Sequence, residues 1–394
     1  IIYDDLPIQP LPHQIKTVRK VIDDLNGRAI LADEVGLGKT IEAGLILQEY
    51  IKKGLIKNFL ILVPASLCFQ WTQEMVFKFK FEDIYYNRKG LAWEYFDRQV
   101  ASLDKAKRKE HAQHLKKVNF DMVIVDEAHK LKNKKTLNWK FVNSLNKKYC
   151  LLLTATPIQN NLEELYNLIS ILYPELYKNF GDFKEKYVAG KHLVKNSTSL
   201  RNDLDKVMIR NKHKDTILNL SERHIKQILV ELSSEERELY DMVTNYVKRE
   251  YQLRKGKNKS ILNLLTYQRE LCSSFYALGK TIAKDQNNNF DLNEIYNLIK
   301  KINISSKLRK VQEIVEKNQG QKIIFTEFRA TQEYIASYLN SLGYKTILFN
   351  GGFSSSRKEY IKYLFKNNKD IMISTEAGSQ GLNLQFCNIM INYD

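Results

Sequence analysis

Cysteine, histidine, acidic side chains and long apolar runs are all scarce in this sequence, and each shortage closes off a class of protein. The four cysteines, Cys68, Cys150, Cys272 and Cys387, form no C-x-x-C pair, so a disulfide scaffold is not expected. Cys68 and Cys150 lie in or beside apolar runs, which reads as buried thiols in a reducing compartment. His111 and His114 stand three apart in a lysine-rich stretch with no further ligand nearby in sequence, a poor start for a metal site. No apolar run is long enough to span a membrane, and the first residues lack a signal-peptide pattern, so the expectation is a cytoplasmic protein that does not meet a membrane. Acidic residues number 45 against 62 Lys and Arg, a formal charge of +17. A chain so basic usually meets a polyanion, although lysine-rich coding bias explains part of the excess.

What is present is enough apolar material, 43% of the chain, to build packed interiors. With 394 residues the chain is too long for one ordinary core, so two or more domains are expected. Short apolar runs recur: 28-RAILA-32, 59-FLILV-63, 121-DMVIVD-126 and 149-YCLLLTAT-156 early, then 322-KIIFT-326, 345-KTILFN-350, 371-IMIST-375 and 388-NIMINY-393 late. Continuous apolar runs suit strands covered on both faces of a parallel sheet. Helical spacing lies between them, as in 331-TQEYIASYLNSLG-343 with its terminal glycine. The fold expected is α/β: two doubly wound parallel-sheet lobes with helical insertions between them. From 157 to 310 helical patterns dominate. Ser233 and Glu236 predict a capping box for a helix over 234–251, and Ile261, Leu264, Leu265, Leu271, Cys272, Phe275 and Leu278 form a stripe read as core. The polar stretch 284–293 reads as a loop. The boundaries drawn are 1–215, 216–310 and 311–394.

The chemistry concentrates in 31-LADEVGLGKTIEAGLIL-47. A phosphate loop has the pattern G-x-x-x-x-G-K-[ST], and here Asp33 replaces the first glycine. A strand-like run precedes the loop and a helical pattern follows, the order a phosphate cradle requires. Gly36 and Gly38 permit the tight turn, and the stretch Val35, Gly36, Leu37, Gly38, Lys39 and Thr40 would present successive N–H groups to phosphates. Lys39 would reach the terminal phosphates, and the Thr40 hydroxyl would meet Mg²⁺. The competing reading is a glycine-rich loop with an exposed lysine. In 121-DMVIVDEAHK-130 an apolar strand ends in carboxylates. Asp126 would hold Mg²⁺, directly or through water, and Glu127 would orient or deprotonate an attacking water. The alternative there is a surface acidic pair after a buried strand.

These elements, taken together, resemble helicase superfamily two, and within it the SWI/SNF-related DNA translocases. The entrance D-E-x-G-L-G-K-T is that family's own form, so Asp33 is the expected residue. Further segments match in order. In 11-LPHQ-14, Gln14 would hydrogen-bond the adenine. The segments 62-LVPASLCFQW-71 and 100-VASLDKAKR-108 resemble motifs that lie along DNA. The family's third motif is matched by 151-LLLTATPIQNN-161, where Thr154 and Thr156, together with His129 of the second, would couple hydrolysis to DNA contact. The run 207-VMIRNKHKD-215 looks like a signature near the lobe junction. In the late half, 322–339 and 348–365 match the fourth motif and its neighbour, and 373–394 matches the fifth. There Gly378 and Gly381 would approach nucleotide and Asn383 would approach DNA.

The resemblance implies an ATP hydrolase using ATP and Mg²⁺ that moves along double-stranded DNA, with possible protein partners from a larger complex. The nearest branches look bacterial and archaeal, among them the RNA-polymerase recycling factor and phage-defence proteins, and a defence-associated or generic translocase is the leaning. The family's Q-x-x-G-R-x-x-R motif does not occur before Asp394, so these 394 residues are expected to bind ATP and hydrolyse it poorly. A nucleotide-gated clamp and a strand-separating helicase are the alternatives. The lysine-rich stretches 104–117 and 254–260 are either DNA-backbone contacts or solvated faces.

Overall fold

The computed structural model describes residues 5–90, 92–158, 161–189, 195–216, 224–255, 261–285, 290–375, 384 and 386–394. Two compact units divide the chain, Ile1–Glu222 and Arg223–Asp394.

In the first unit the described strands are β1 (Arg28–Leu31), β2 (Phe59–Val63), β3 (Tyr85–Tyr86), β4 (Arg98–Ser102), β5 (Asn119–Val125), β6 (Asn146–Leu153) and β7 (Met208–Ile209). They form one parallel sheet in the order β3-β4-β2-β5-β6-β1-β7. The apolar runs are continuous because both faces are covered. Ile61, Val63, Ile124 and Leu151 feed one buried cluster, while their chain neighbours Leu60, Leu62, Val125 and Leu152 feed another. The register sets Leu31 opposite Leu153 and Leu152 opposite Val125, so β1, β6 and β5 end close to level. The chain leaves β1 through helix Lys39–Lys52 and returns at β2, beyond β6 and β5. That change of direction opens a crevice at the carboxyl ends of the strands, where such sheets bind ligands.

Strands β3, β4 and β7 carry no apolar signature long enough to be predicted. In β4, Gln99 is fully buried; its amide donates to the carbonyls of Trp93 and Phe96 at 2.8 Å and its carbonyl accepts from Asn87 Nδ2 at 3.0 Å. A satisfied buried amide looks like surface in a hydropathy pattern.

The second unit holds a four-stranded parallel sheet in the order β11-β8-β10-β9, from β8 (Lys322–Thr326), β9 (Thr346–Phe349), β10 (Ile371–Thr375) and β11 (Ile389–Asn392). Helices Ser234–Arg254, Leu262–Ser273, Phe275–Asp285 and Phe290–Ile299 share their own apolar core. The capping box at Ser233 and Glu236 is formed. Glu236 also accepts from the Ser306 backbone N–H at 2.9 Å, tying this layer to helix Ser306–Lys317. The stripe expected across 261–278 is broken at Ser274. Its hydroxyl caps the next helix at Ala277 N, 3.1 Å away, and meets Thr331 Oγ1 at 2.7 Å. The break resets the helical phase, so Leu264, Phe275 and Leu278 are buried while Leu265 and Cys272 are exposed. The stretch 284–293 is not wholly a loop, since helix Phe290–Ile299 begins inside it.

Candidate nucleotide site

The loop after β1 carries the expected residues in the expected conformation. Gly36 and Gly38 have φ of 92° and 91°, a region that favours glycine. A Cβ on Gly38 would lie 2.4 Å from Gln14 Nε2, so no side chain fits there without displacing Gln14. Gly38 caps helix Lys39–Lys52, which places Lys39 and Thr40 in its first turn, where orphan N–H groups and the helix dipole favour anions. Val35 is exposed and Leu37 is buried.

Asp33 is fully buried, and its carboxylate is occupied. It accepts from the Asn211 backbone N–H at 2.8 Å and from Asn211 Nδ2 at 2.9 Å. Asn211 Nδ2 also lies 3.0 Å from Thr17 Oγ1 on helix Pro12–Asp23. Two residues on, the His213 backbone N–H donates to Glu34 at 2.8 Å, and its ring Nε2 lies 2.8 Å from the Val35 carbonyl. The segment following β7 therefore braces the loop's entrance from one side. From the other side Gln14 Nε2 donates to the Leu37 carbonyl at 2.9 Å while its Oε1 accepts from Leu11 N at 2.9 Å. Gln14, expected to address an adenine, is buried with its amide committed to the loop backbone.

Lys39 Nζ donates to the Asp33 carbonyl at 2.8 Å. Burial lowers its proton affinity, opposed by the surrounding charges of Asp33, Asp126, Glu42 and Glu127. Asp126, at the tip of β5, has one donor on each oxygen: Trp71 Nε1 on Oδ2 and the Glu127 backbone N–H on Oδ1, both at 2.8 Å. Burial raises the Asp126 carboxyl, and those two donors partly offset it. Glu127 adopts a left-handed φ of 52° and meets His129 Nδ1 at 3.0 Å. The hydrogen bond from His129 holds the Glu127 carboxyl below its ordinary range. Beyond β6, buried Thr154 accepts from the Thr156 backbone N–H at 3.2 Å. Behind the loop lies fully buried Glu42, whose oxygen comes within 4.8 Å of Asp33 and of a His13 ring nitrogen. Burial, then the charge of Asp33, push the Glu42 carboxyl well above its usual range.

The predicted residues of the first unit thus gather along one sheet edge, in the order Asp126 with Glu127 and His129, then Thr154 and Thr156, then the loop from Val35 to Thr40. Gly378, Gly381 and Asn383 lie outside the described residues. Trp71, Asn211, His213 and Glu42 were not anticipated as site residues, although all four fall inside stretches that the sequence singles out. No helix among the described residues is long and apolar enough to cross a membrane.

A model of the SNF2-related domain matches residues 13–277. The chain belongs to the SNF2-related family of helicase-type ATPases. A second model, the helicase conserved C-terminal domain, matches residues 306–394 of this SNF2-related chain. The Bacillus subtilis protein named Uncharacterized ATP-dependent helicase YqhH is 45% identical over 396 residues, covering 98% of this chain and 70% of that protein. Protein CHROMATIN REMODELING 4 of Arabidopsis thaliana is 26% identical over 404 residues, covering 93% of this chain and 18% of that protein. Among solved structures, the Sulfolobus solfataricus SWI2/SNF2 ATPase core in complex with dsDNA overlays with a TM-score of 0.53 at 22% identity, covering 99% of this chain and 83% of that one. The overlay establishes the shared SNF2-type fold.

Proposed function

We propose that this chain is the motor part of an ATP-driven translocase on double-stranded DNA. The observation that carries the reading is the meeting of Lys39, Asp126 and Glu127 at one edge of a parallel sheet, below a loop whose glycines take positive φ. The loop N–H groups and Lys39 would bind the ATP phosphates. Thr40 and Asp126 would hold Mg²⁺, for which the donor set fits: a hydroxyl and a buried carboxylate with one hydrogen bond on each oxygen. Bound there, Mg²⁺ supplies charge neutralisation to phosphoryl transfer. Glu127 orients the attacking water. Because His129 keeps it ionised, Glu127 is a ready acceptor for the water's hydrogen bond but a weak proton sink. Thr154 and Thr156 directly follow β6, the strand between those that lead to the loop and to Asp126, which suits a relay to DNA.

Duplex DNA is the proposed track because phosphate contacts carry no sequence information, which translocation requires; the solved relative in complex with dsDNA supports this choice. Protein partners within a larger assembly are part of the proposal. The test is ATP hydrolysis by the full-length protein with and without duplex. Strong stimulation by duplex is expected, and Lys39→Ala should reduce turnover on the order of a hundredfold or more. A strand-displacement assay separates translocation from unwinding. Equal turnover in the presence and absence of duplex would defeat the motor reading.

A further inference from the structure

Trp71 sits one turn into helix Cys68–Phe79 and is 2% exposed. Its indole N–H is spent on a single partner, Asp126 Oδ2, 2.8 Å away. With the Glu127 backbone N–H on Oδ1, this fixes the plane of the carboxylate, and each oxygen retains acceptor capacity toward a cation. The choice of donor matters. An indole N–H carries no charge, so it orients the carboxylate without cancelling the negative charge that a divalent cation needs, as a lysine or arginine would.

The same bond links two elements. Strands β2 and β5 are neighbours, and Asp126 N donates to the Leu62 carbonyl at 2.9 Å. Past β2 the chain turns at Pro64, where Leu67 N donates to Pro64 O and Trp71 N to Leu67 O, each at 2.9 Å. A continuous hydrogen-bonded path thus runs from the turn at 64–67, through the first turn of the helix, to the Asp126 carboxylate.

We propose that Trp71 is a positioning residue that holds Asp126 in the orientation in which it takes Mg²⁺ with the nucleotide, and that it ties this orientation to the turn at 64–67. The inference rests on the reading of Asp126 as the metal holder. It gives the turn a direct route to the metal: a shift of 64–67 moves the indole, and the indole moves the carboxylate.

The test measures binding rather than turnover. A fluorescent methylanthraniloyl-ADP is titrated with the full chain at varied Mg²⁺ and in EDTA. Trp71→Phe, which keeps a large ring but removes the donor, should raise the half-saturating Mg²⁺ about tenfold and leave affinity in EDTA unchanged. Asp126→Asn is run alongside. If Asp126→Asn leaves the Mg²⁺ dependence unchanged, the metal-holder reading itself fails; if Asp126→Asn shifts it and Trp71→Phe does not, only the role of Trp71 fails. A second measurement does not depend on the stability of Trp71→Phe. The three tryptophans are Trp71, Trp93 and Trp139, so a Trp93→Phe/Trp139→Phe chain reports Trp71 alone. Its emission should change with Mg²⁺·ADP and not with ADP in EDTA. Identical spectra under the two conditions would overturn the proposal.

Discussion

Asp33 stands where a phosphate loop ordinarily begins with glycine, and its partners give a physical reason for the exchange. A fully buried carboxylate costs several kcal/mol unless donors satisfy it, and Asn211 supplies two. The exchange thus couples the loop entrance to a segment 178 residues later. The second carboxyl, Glu42, lies within 4.8 Å of the first. Two carboxylates so close in a dry site cannot both ionise cheaply, and the proton stays on Glu42, whose range is raised by burial and by Asp33. The sign for stability follows. Unfolded, Glu42 ionises in the ordinary glutamate range; folded, it keeps its proton to higher pH. Its favourable contribution is therefore complete below the ordinary range and is lost as pH rises toward the folded value. Glu42→Gln should be more stable than the parent at pH 8 and nearly equal to it at pH 4.5. Denaturant midpoints at the two pH values check this, and parallel pH profiles would count against it. At this scale Lys39, Asp126 and Glu127 were legible in the sequence because each belongs to a short contiguous pattern. Asn211 and Trp71 were not legible as site residues, since their roles consist of hydrogen bonds to residues 178 and 55 positions away.

Among the elements, helix Lys39–Lys52 has the most exacting fit. Its residues from Glu42 to Leu47 are all buried, and a Cβ on Gly44 would lie 2.3 Å from the Phe79 ring on helix Cys68–Phe79. Two opposing effects decide the outcome of Gly44→Ala. Helix propensity favours alanine by about 1 kcal/mol. Overpacking against a fully buried ring costs about 1–3 kcal/mol. The packing cost wins, so Gly44→Ala should lower the thermal midpoint by several degrees, and adding Phe79→Leu should restore much of the loss. A midpoint at or above the parent's would show that Phe79 moves aside freely. The strands themselves were easier to foresee. The apolar runs at 59–63, 322–326 and 371–375 coincide with β2, β8 and β10, because a strand covered on both faces is apolar along most of its length. Elements with mixed polarity escaped: β4 carries buried Gln99, and the helical stripe of the second unit is interrupted by the capping hydroxyl of Ser274.

For the molecule as a whole, the open quantity is what the charge of +17 is for. Sequence alone allowed a solvated lysine-rich surface or a DNA-backbone contact, since composition cannot say where cations gather. In the first unit Arg108, Lys109, Lys116 and Lys117 are all exposed, at and beside helix Lys109–Leu115. This helix follows β4 in the same crossover, and β4 lies next to β2, whose far end leads into the turn at 64–67. Basic residues that touch phosphates release counterions, and each such contact steepens the salt dependence of binding by about 0.9 in a log–log plot for duplex. Surface lysines that touch nothing leave that slope unchanged. Lys109→Glu/Lys116→Glu/Lys117→Glu should therefore weaken duplex affinity and reduce the salt slope by roughly two to three, while nucleotide affinity without DNA stays as it was. Fluorescence anisotropy of a labelled duplex over a range of salt concentrations reads both quantities. An altered affinity with an unaltered slope would mean that the substitutions act through the structure of the protein and not through phosphate contact, since a field effect is itself screened by salt, and the duplex path would then have to be sought among the other cations of the chain.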